Sequence, residues 1–433
     1  MKKILLKKSI IITIGILIIL LLTANTSALT KTKLKNISTE NIIYVDDDNT
    51  QGPWDGTQDY PYQFIQEALD EAEEGFIIYI YEGKYFSSES SDIEVTKSVE
   101  LKGENRENTI ITLDKGLDHV LKLDSDNVTI TNLTIDDAIY GIKGEGDFFS
   151  IKNCIISNNL DGINLVSSSN ISISNCKIID NFDGICLEKC PNCNISNNHI
   201  ISNFKGIRIS KSSDNSEIYN NKIEKNLEDG ISITESENNF VIGNKLYKNN
   251  QGIWGSALYF YKSSNNIISE NSIYKNECGG IVLTYSCTNN KIFKNTIEDN
   301  IHNSDGNNFY GISFFEGSND NLIYHNSFID NNHLAFSHNA IDYCNNKWYN
   351  DSIKEGNYWS DYNGLDRDND GVGDKPHNIR GRNNQDLYPL KDPCIRKSKE
   401  KSISCHFIKY IEIIKEKIPF MISFCHFLNY LVL

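Results

Sequence analysis

Two aspartates, Asp161 and Asp183, each stand directly before a glycine, and Arg208 follows them further along the chain. If the fold brings the two carboxyl groups together, their charges repel and the pKa of one rises. A carboxyl pair arranged in this way supplies the acid and the base for cleavage of a glycosidic bond. With an arginine beside it, the pair would also suit lyase or epimerase chemistry on uronic acids. Asp161, Asp183 and Arg208 are therefore catalytic candidates, with ordinary Asp-Gly turns as the alternative interpretation.

A second group of acidic residues lies near the end of the chain, in the sequence DRDNDGVGD at residues 366–374. Carboxylates at alternate positions and a glycine at the sixth are typical of a calcium loop. The pattern departs from an EF-hand, because its twelfth position is His377 rather than a glutamate. We predict a Ca²⁺ site, with a solvated acidic turn as the alternative, whose ligands are Asp366, Asp368, Asp370, Asp374 and the carbonyl group of Val372.

Three histidines, His325, His333 and His338, fall close together in the sequence and would offer imidazole ligands to copper. The chain has only two Met and no histidine-rich tract, which weakens the prediction of a copper site.

Aromatic side chains cluster in the middle of the chain, at Trp254, Tyr259, Tyr261 and Phe315. Rings presented along a groove can stack on the faces of sugars, because one side of a pyranose is apolar. Together with Glu188, these residues are carbohydrate-binding candidates. The alternative is that the rings pack against an inserted loop, since the spacing between repeats lengthens just before Ala257.

The elements that must position all these residues are short repeats of about 22 residues. A glycine or alanine followed by an apolar residue recurs at Gly141, Gly162, Gly184, Gly206, Gly230, Ala257, Gly280, Gly311 and Ala335. Three columns rich in asparagine accompany it. The first is Cys154, Cys176, Asn198, Asn221, Asn244, Asn271, Asn295 and Asn326. The second is Asn159, Asn181, Asn203, Asn226, Asn249, Asn276, Asn300 and Asn331. The third is Asn170, Asn192, Asn215, Asn238, Asn265, Asn289 and Asp320.

Apolar residues alternate with polar ones in short runs between these columns, which indicates strands rather than helices. Three strands and three turns per repeat describe one coil of a parallel β-helix, stacked on the next at the ~4.8 Å spacing between strands. Asparagine suits such a stack, because it tolerates left-handed turns and its amide both donates and accepts hydrogen bonds. We predict an all-β, right-handed parallel β-helix whose outward side chains form the binding surface.

The charge of the chain excludes one class of partner. Its 42 basic and 58 acidic residues give a net charge of -16. Nucleic acid is not an expected partner, because phosphate binding needs an excess of Lys and Arg.

The two ends of the chain differ from the repeats. Residues 1–28 resemble a signal peptide, because lysines precede an apolar run from Ile10 to Leu22 and small residues follow. We therefore expect an exported protein, in the periplasm, at the cell surface or outside the cell. A retained anchor helix is the alternative, although the run is short for a bilayer that needs ~20 residues. Residues 395–433 mix Lys with apolar residues and predict contact with a membrane surface or a partner protein.

The segment from Ile42 to Asn105, which begins IIYVDDDNTQGPWDG, resembles the N-terminal region of pectate-lyase-like right-handed β-helix proteins. That resemblance implies a short capping helix over residues 64–73. The stretch GNYWSDYNGLDRDNDGVGDKPHNI from Gly356 is similar to the closing segment of such proteins. The wider resemblance is to periplasmic copper-binding accessory proteins of nitrous-oxide reductase maturation, and to carbohydrate-binding and sugar-hydrolysing surface proteins.

These observations predict six segments. They are a signal peptide at 1–28, a linker at 29–41, an N-terminal cap with the first coil at 42–105, β-helix repeats at 106–345, a C-terminal cap at 346–390 and a tail at 391–433. The leading functional hypothesis is an exported protein that binds extracellular or envelope carbohydrate without strong catalysis. A polysaccharide hydrolase, lyase or epimerase is the first alternative, and a copper accessory protein is the second.

Overall fold

The computed structural model describes residues 41–87, 93–113, 118–250, 255–277, 279–300, 310–331 and 338–394. The predictions made for residues 1–28, for Trp254, His333 and Ala335, and for 395–433 lie outside the described residues. The chain divides into two compact units, Met1–Ile42 and Ile43–Leu433, and only residues 41 and 42 of the first are described. Within the described ranges, no helix is long and apolar enough to span a bilayer.

The larger unit is built from three parallel sheets, each of twelve strands in the described part of the chain. The chain visits them in a fixed order, and we number them in that order. Sheet 1 contains Ile42–Val45, Ile77–Ile80, Glu100–Gly103, Thr129–Thr131, Ser150–Lys152, Ser172–Ser174, Asn194–Ser196, Glu217–Tyr219, Phe240–Ile242, Ile267–Ser269, Lys291–Phe293 and Leu322–Tyr324.

Sheet 2 follows sheet 1 in each coil. Its strands are Gly83–Ser87, Thr109–Leu113, Thr134–Asp136, Ile155–Ser157, Lys177–Ile179, His199–Ile201, Lys222–Glu224, Lys245–Tyr247, Ser272–Tyr274, Thr296–Glu298, Ser327–Ile329 and Tyr358–Trp359. Sheet 3 closes the coil with Glu94–Val95, His119–Leu123, Tyr140–Gly144, Asp161–Val166, Asp183–Glu188, Lys205–Ser210, Ile231–Thr234, Leu258–Tyr261, Ile281–Thr284, Ile312–Phe314, Ala340–Asp342 and Arg380–Gly381. These sheets confirm the predicted parallel β-helix.

Two further elements complete the ends of this unit. The helix Ile65–Glu71 buries Ile65, Ala68 and Leu69, and Phe64 is its N-cap. It confirms the predicted capping helix, which is shorter than residues 64–73. At the other end, His377–Asn378 and Gln385–Asp386 form a small antiparallel sheet.

The core is a continuous column of aliphatic side chains inside the coils. The strands turn a row of apolar residues inward, and in many places the same residue type stacks on itself, as in Ile163, Ile185 and Ile207 of sheet 3. All three are fully buried. Glycine precedes these isoleucines because the coils approach closely there: a Cβ atom on Gly206 would lie 2.4 Å from the carbonyl oxygen of Gly230.

Asparagine side chains form ladders along the coils, as the first two columns predict. In the first ladder, the Nδ2 group of each residue from Asn198 to Asn326 donates to the Oδ1 atom of the asparagine one coil further on, at 2.9–3.1 Å. The second ladder runs in the same way from Asn159 to Asn331, at 2.8–3.1 Å. Cys154 and Cys176 occupy the beginning of the first ladder as buried thiols.

The third column does not form a ladder, and this corrects the expectation that all three columns stack their amides. Its residues, from Asn170 to Asp320, instead adopt left-handed backbone conformations with φ between 56° and 60°. A third ladder lies one residue later, at Asn266, Asn290 and Asn321. Because neighbouring side chains point to opposite sides of the backbone, a shift by one residue exchanges the turn position for the buried position.

Each ladder ends on an aspartate at the C-terminal side. Asn357 donates to Asp386, Asn339 to Asp361 and Asn346 to Asp342, at 3.3, 2.9 and 3.0 Å. The indole N–H groups of Trp359 and Trp348 also donate, at 2.9 Å, to Asp386 and Asp342 respectively. A carboxylate accepts hydrogen bonds without having to donate one, so it satisfies the last amide of a ladder.

Candidate functional site

The outward side chains of sheet 3 bring the three catalytic candidates together. Asp161 pairs in register with Asp183, and Asp183 with Lys205. Three positions further along these strands, Asn164, Cys186 and Arg208 form a parallel row. We call the outward surface of the strands from Asp161–Val166 to Leu258–Tyr261 the sheet 3 face.

Asp183 is at the centre of this group. The guanidinium Nε of Arg208 donates to its Oδ2 atom at 2.7 Å, across one coil. The side chain is almost fully buried, and its Oδ1 atom has no hydrogen-bond partner among the described residues. A buried carboxylate oxygen without a donor is costly, and this atom has almost no contact with solvent, so Asp183 acts on the face through its partner Arg208.

The neighbouring Asp161 is a more basic carboxylate than an ordinary aspartate. Burial raises its pKa and the charge of Asp183 raises it further, while the Asn164 amide, which donates to it at 2.5 Å, and Arg208 oppose the shift. Burial, rather than the repulsion expected from the sequence, is the main cause of this rise in the pKa of Asp161. Cys186 lies between Asn164 and Arg208 in the parallel row as a neutral thiol, because burial raises its pKa to about 12.

A second titratable pair extends the site towards later coils. Asp229 is buried, and its Oδ1 atom accepts a hydrogen bond from the backbone of Ser256 at 2.8 Å. Burial raises the pKa of Asp229 to about 7, and burial together with the charge of Asp229 raises the pKa of Tyr259 to about 12. Asp229 was not among the catalytic candidates, although it stands before Gly230 as Asp161 and Asp183 stand before their glycines.

The remaining carbohydrate-binding candidates lie in separate places. Glu188 is paired with the Lys211 ammonium group at 2.8 Å, which lowers its pKa. The ring of Tyr261 lies 4.9 Å from that of Tyr285, and the ring of Phe315 lies 5.8 Å from that of Tyr343. Tyr285 and Tyr343 are about half exposed, so both pairs offer aromatic surface to solvent.

An exposed apolar column beside the sheet 3 face was not predicted. Phe182 and Phe204 stack in parallel with ring centroids 4.4 Å apart, and Phe182 is 48% exposed. The column comprises Ile139, Leu160, Phe182, Phe204 and Leu227, each directly preceding the outward residue at the start of a sheet 3 strand or its turn. The sequence carries this signal, because an apolar residue recurs just before Tyr140, Asp161, Asp183, Lys205 and Glu228, one position per repeat.

The predicted calcium ligands are only partly gathered. Asp366, Asp368 and Asp370 bring carboxylate oxygens within 4.8 Å of one another. Asp374 instead lies beside Arg367, at 3.8 Å, while the backbone of Val372 pairs with Leu390.

The predicted copper ligands have other partners. His325 is hydrogen-bonded to the Glu355 carboxylate. Burial and the charge of Arg380 lower the pKa of His338. Within the described part of the chain, the one group of side chains arranged to hold a metal ion is the aspartate group of residues 366–370, so His325 and His338 are not assembled into a site.

Comparison with known proteins agrees with this geometry. A family model described as "Right handed beta helix region" matches residues 77–223, 118–257 and 205–328, together more than half of the chain. The chain therefore belongs to the right-handed β-helix family, which confirms the handedness and the pectate-lyase-like resemblance expected from the sequence. A search of curated proteins gave no match.

Several solved structures are similar to this chain. The A-module of the mannuronan C-5 epimerase AlgE6 from Azotobacter vinelandii has a TM-score of 0.52 and 18% identity, covering 65% of this chain and 89% of its own. The pectate lyase Pel9A has a TM-score of 0.43 and 14% identity, covering 70% and 83%. A rhamnogalacturonan lyase has a TM-score of 0.42 and 13% identity, covering 70% and 84%.

Proposed function

We propose that this protein is exported and binds an extended polysaccharide along the sheet 3 face, with the sugar rings against the exposed apolar column. The observation that carries the proposal is the exposed Phe182–Phe204 stack beside the Asp161, Asp183 and Arg208 group. Stacked coils repeat at ~4.8 Å, which is close to the length of one sugar unit, so successive rings would meet equivalent side chains. The resemblance in fold to a mannuronan epimerase supports a polysaccharide as the ligand.

The polar side of the site suits hydroxyl groups of the sugar. The half-buried carboxylate of Asp161 would accept a hydroxyl hydrogen, while Arg208 and Asn164 hold the two carboxylates in place. The guanidinium group of Arg208 already pairs with Asp183, so it is not free to stabilise charge that develops on a substrate during a reaction. We therefore propose binding without strong catalysis.

The test measures affinity for soluble alginate, polygalacturonate and a neutral glucan by affinity gel electrophoresis and calorimetry. We expect F182A/F204A to weaken binding about tenfold or more, because each aromatic contact contributes about 1 kcal/mol. The matched control is Y247A/Y274A, which removes a stacked aromatic pair on sheet 2 with ring centroids 4.7 Å apart. Equal losses in both variants, or no binding by the native protein, would contradict the proposal.

A second candidate function, a polysaccharide lyase or epimerase, is favoured by the raised pKa values of Asp161 and Asp229. Asp161 would act as the base and the guanidinium group of Arg208 would pair with the uronate carboxylate. In this case the native protein changes the proton NMR spectrum of a uronate polymer. The D161N variant should still bind the polymer but slow the reaction at least about 100-fold. An unchanged spectrum after prolonged incubation would leave binding as the whole activity.

A further inference from the structure

The C-terminal end of the β-helix contains a cleft that is separate from the sheet 3 face. It has a volume of about 590 Å³, within the range of pockets that hold small organic ligands. One wall is the last strand of sheet 1 around Leu322, the second is the segment 345–349, and the third is the segment 383–387, which includes the strand Gln385–Asp386. We propose that this cleft is a binding site for a neutral oligosaccharide, independent of the polysaccharide site proposed above.

The walls are held in a fixed arrangement by backbone hydrogen bonds. The backbone N–H of Asp320 donates to the carbonyl of Asn345, and that of Lys347 donates to Asn321, both at 2.9 Å. The third wall is attached by Asn384, whose Nδ2 group donates to the carbonyl of Cys344 at 2.9 Å. The cleft is therefore a preformed site, and a ligand would not have to order its walls.

Amide groups in the cleft are available to a ligand. The side chains of Asn345 and Asn383 are exposed and make no hydrogen bond within the described part of the protein. Asn384 uses its Nδ2 group in the wall, which leaves its Oδ1 atom as an acceptor. A primary amide both donates and accepts, so it matches hydroxyl groups, which do the same.

Apolar side chains complete the lining. Leu322, Tyr349 and Leu387 line the same cleft, and Leu387 is 37% exposed. Tyr349 is held by an edge contact to Tyr388, with ring centroids 5.3 Å apart. Apolar surface beside amides fits the C–H face and the hydroxyl edge of a sugar ring.

The charges of the lining select a neutral ligand. Asp320 and Lys347 are its carboxylate and its ammonium group, and Lys347 is already paired with Asp351. The unpaired charge is therefore the Asp320 carboxylate, which accepts sugar hydroxyls and repels uronates. A neutral hexose oligomer donates hydroxyl hydrogen bonds and carries no negative charge, so it suits this carboxylate.

The experiment uses the full chain and saturation-transfer NMR with cellotetraose, mannotetraose, galactotetraose and, as the acidic comparison, tetragalacturonate. We expect at least one neutral tetrasaccharide to bind. N345A/N383A should weaken its binding about tenfold or more, because two hydrogen-bonding groups are lost. N383W, which fills the cleft, should have the same effect, and thermal unfolding of both variants checks that they fold.

The control variant F182A/F204A separates the two sites. It should leave binding of the neutral tetrasaccharide unchanged, whether or not the polysaccharide proposal holds. The cleft proposal is overturned if no neutral tetrasaccharide binds, if binding survives both N345A/N383A and N383W, or if F182A/F204A abolishes it.

Discussion

At the scale of single residues, burial decides the protonation of the site. Asp229 and Cys186 both lie on the outward side of sheet 3, yet they are 4% and 3% exposed. Cys186 is covered by its neighbour Arg208 one coil further on, and Asp229 accepts a hydrogen bond from Ser256, so outward does not mean solvated. The alternation of a sequence shows in which direction a side chain points, but it does not show which residues of the next coil cover that side chain.

Asp229 makes stability depend on pH in a predictable direction. Its pKa is about 7 in the folded protein, above the ordinary 3.8. Folding therefore favours the protonated carboxyl, so the cost of ionising this buried group is absent below about pH 4, grows up to about pH 7 and stays constant above it. That cost reaches about 4 kcal/mol at most.

We therefore expect D229N to be more stable than the native protein at about pH 8, and equally stable at about pH 4. The oxygen of the introduced amide can still accept the hydrogen bond from Ser256. Urea unfolding at both pH values measures the difference. D180N, at an exposed turn, is the control and should show no such dependence. An equal effect of D229N at both pH values would contradict the assignment.

At the scale of elements, the asparagines have two roles: some form the buried ladders and others occupy left-handed turns. Two ladder columns could be predicted, because a buried amide recurs at one position per coil. The third could not be placed, because adjacent asparagines such as Asn238 and Asn239 leave open which one turns inward. The aspartates that end the ladders were also not predicted, because they come from the cap, where no repeat marks their register.

Removing one rung tests the ladder. Asn244 accepts from Asn221 and donates to both Asn271 and the carbonyl of Ile218. N244A would leave these buried groups without partners, so we expect the free energy of unfolding to fall by about 3 kcal/mol. N238A, at an exposed left-handed turn, should cost about 1 kcal/mol. Urea unfolding compares them, and a larger loss in N238A would refute the assignment of roles.

At the scale of the whole molecule, the fold was predictable because every coil repeats the same sequence pattern. Short alternating runs and glycine columns recur along the chain, and each repeat strengthens the same conclusion. The sheet 3 face was also predictable in outline, since Asp161, Asp183 and Arg208 are indeed neighbours. The C-terminal cleft was not, because its walls join a turn, a strand and the cap, which no sequence period relates.

Calcium is expected to stabilise the C-terminal end of the molecule. The loop that carries Asp366, Asp368 and Asp370 is tied to the final segment, where the backbone of Lys391 donates to Gly371 at 3.0 Å. Neutralising three close carboxylates would raise the melting temperature by a few degrees at saturating Ca²⁺. D368N/D370N should abolish this shift, and D59N, at an exposed aspartate elsewhere, should retain it. Calorimetry with EDTA and with Ca²⁺ measures it, and an identical shift in both variants would show that the ion binds elsewhere.

The aspartates at the ends of the ladders give the β-helix a direction. The hydrogen bonds from amide to amide along a ladder all run towards the C-terminus, so the two ends of a ladder are chemically different. A side chain that only accepts hydrogen bonds is needed once in each ladder, at its C-terminal end, however many coils precede it. An extra coil inserted before the cap would therefore extend each ladder without requiring a new terminating aspartate.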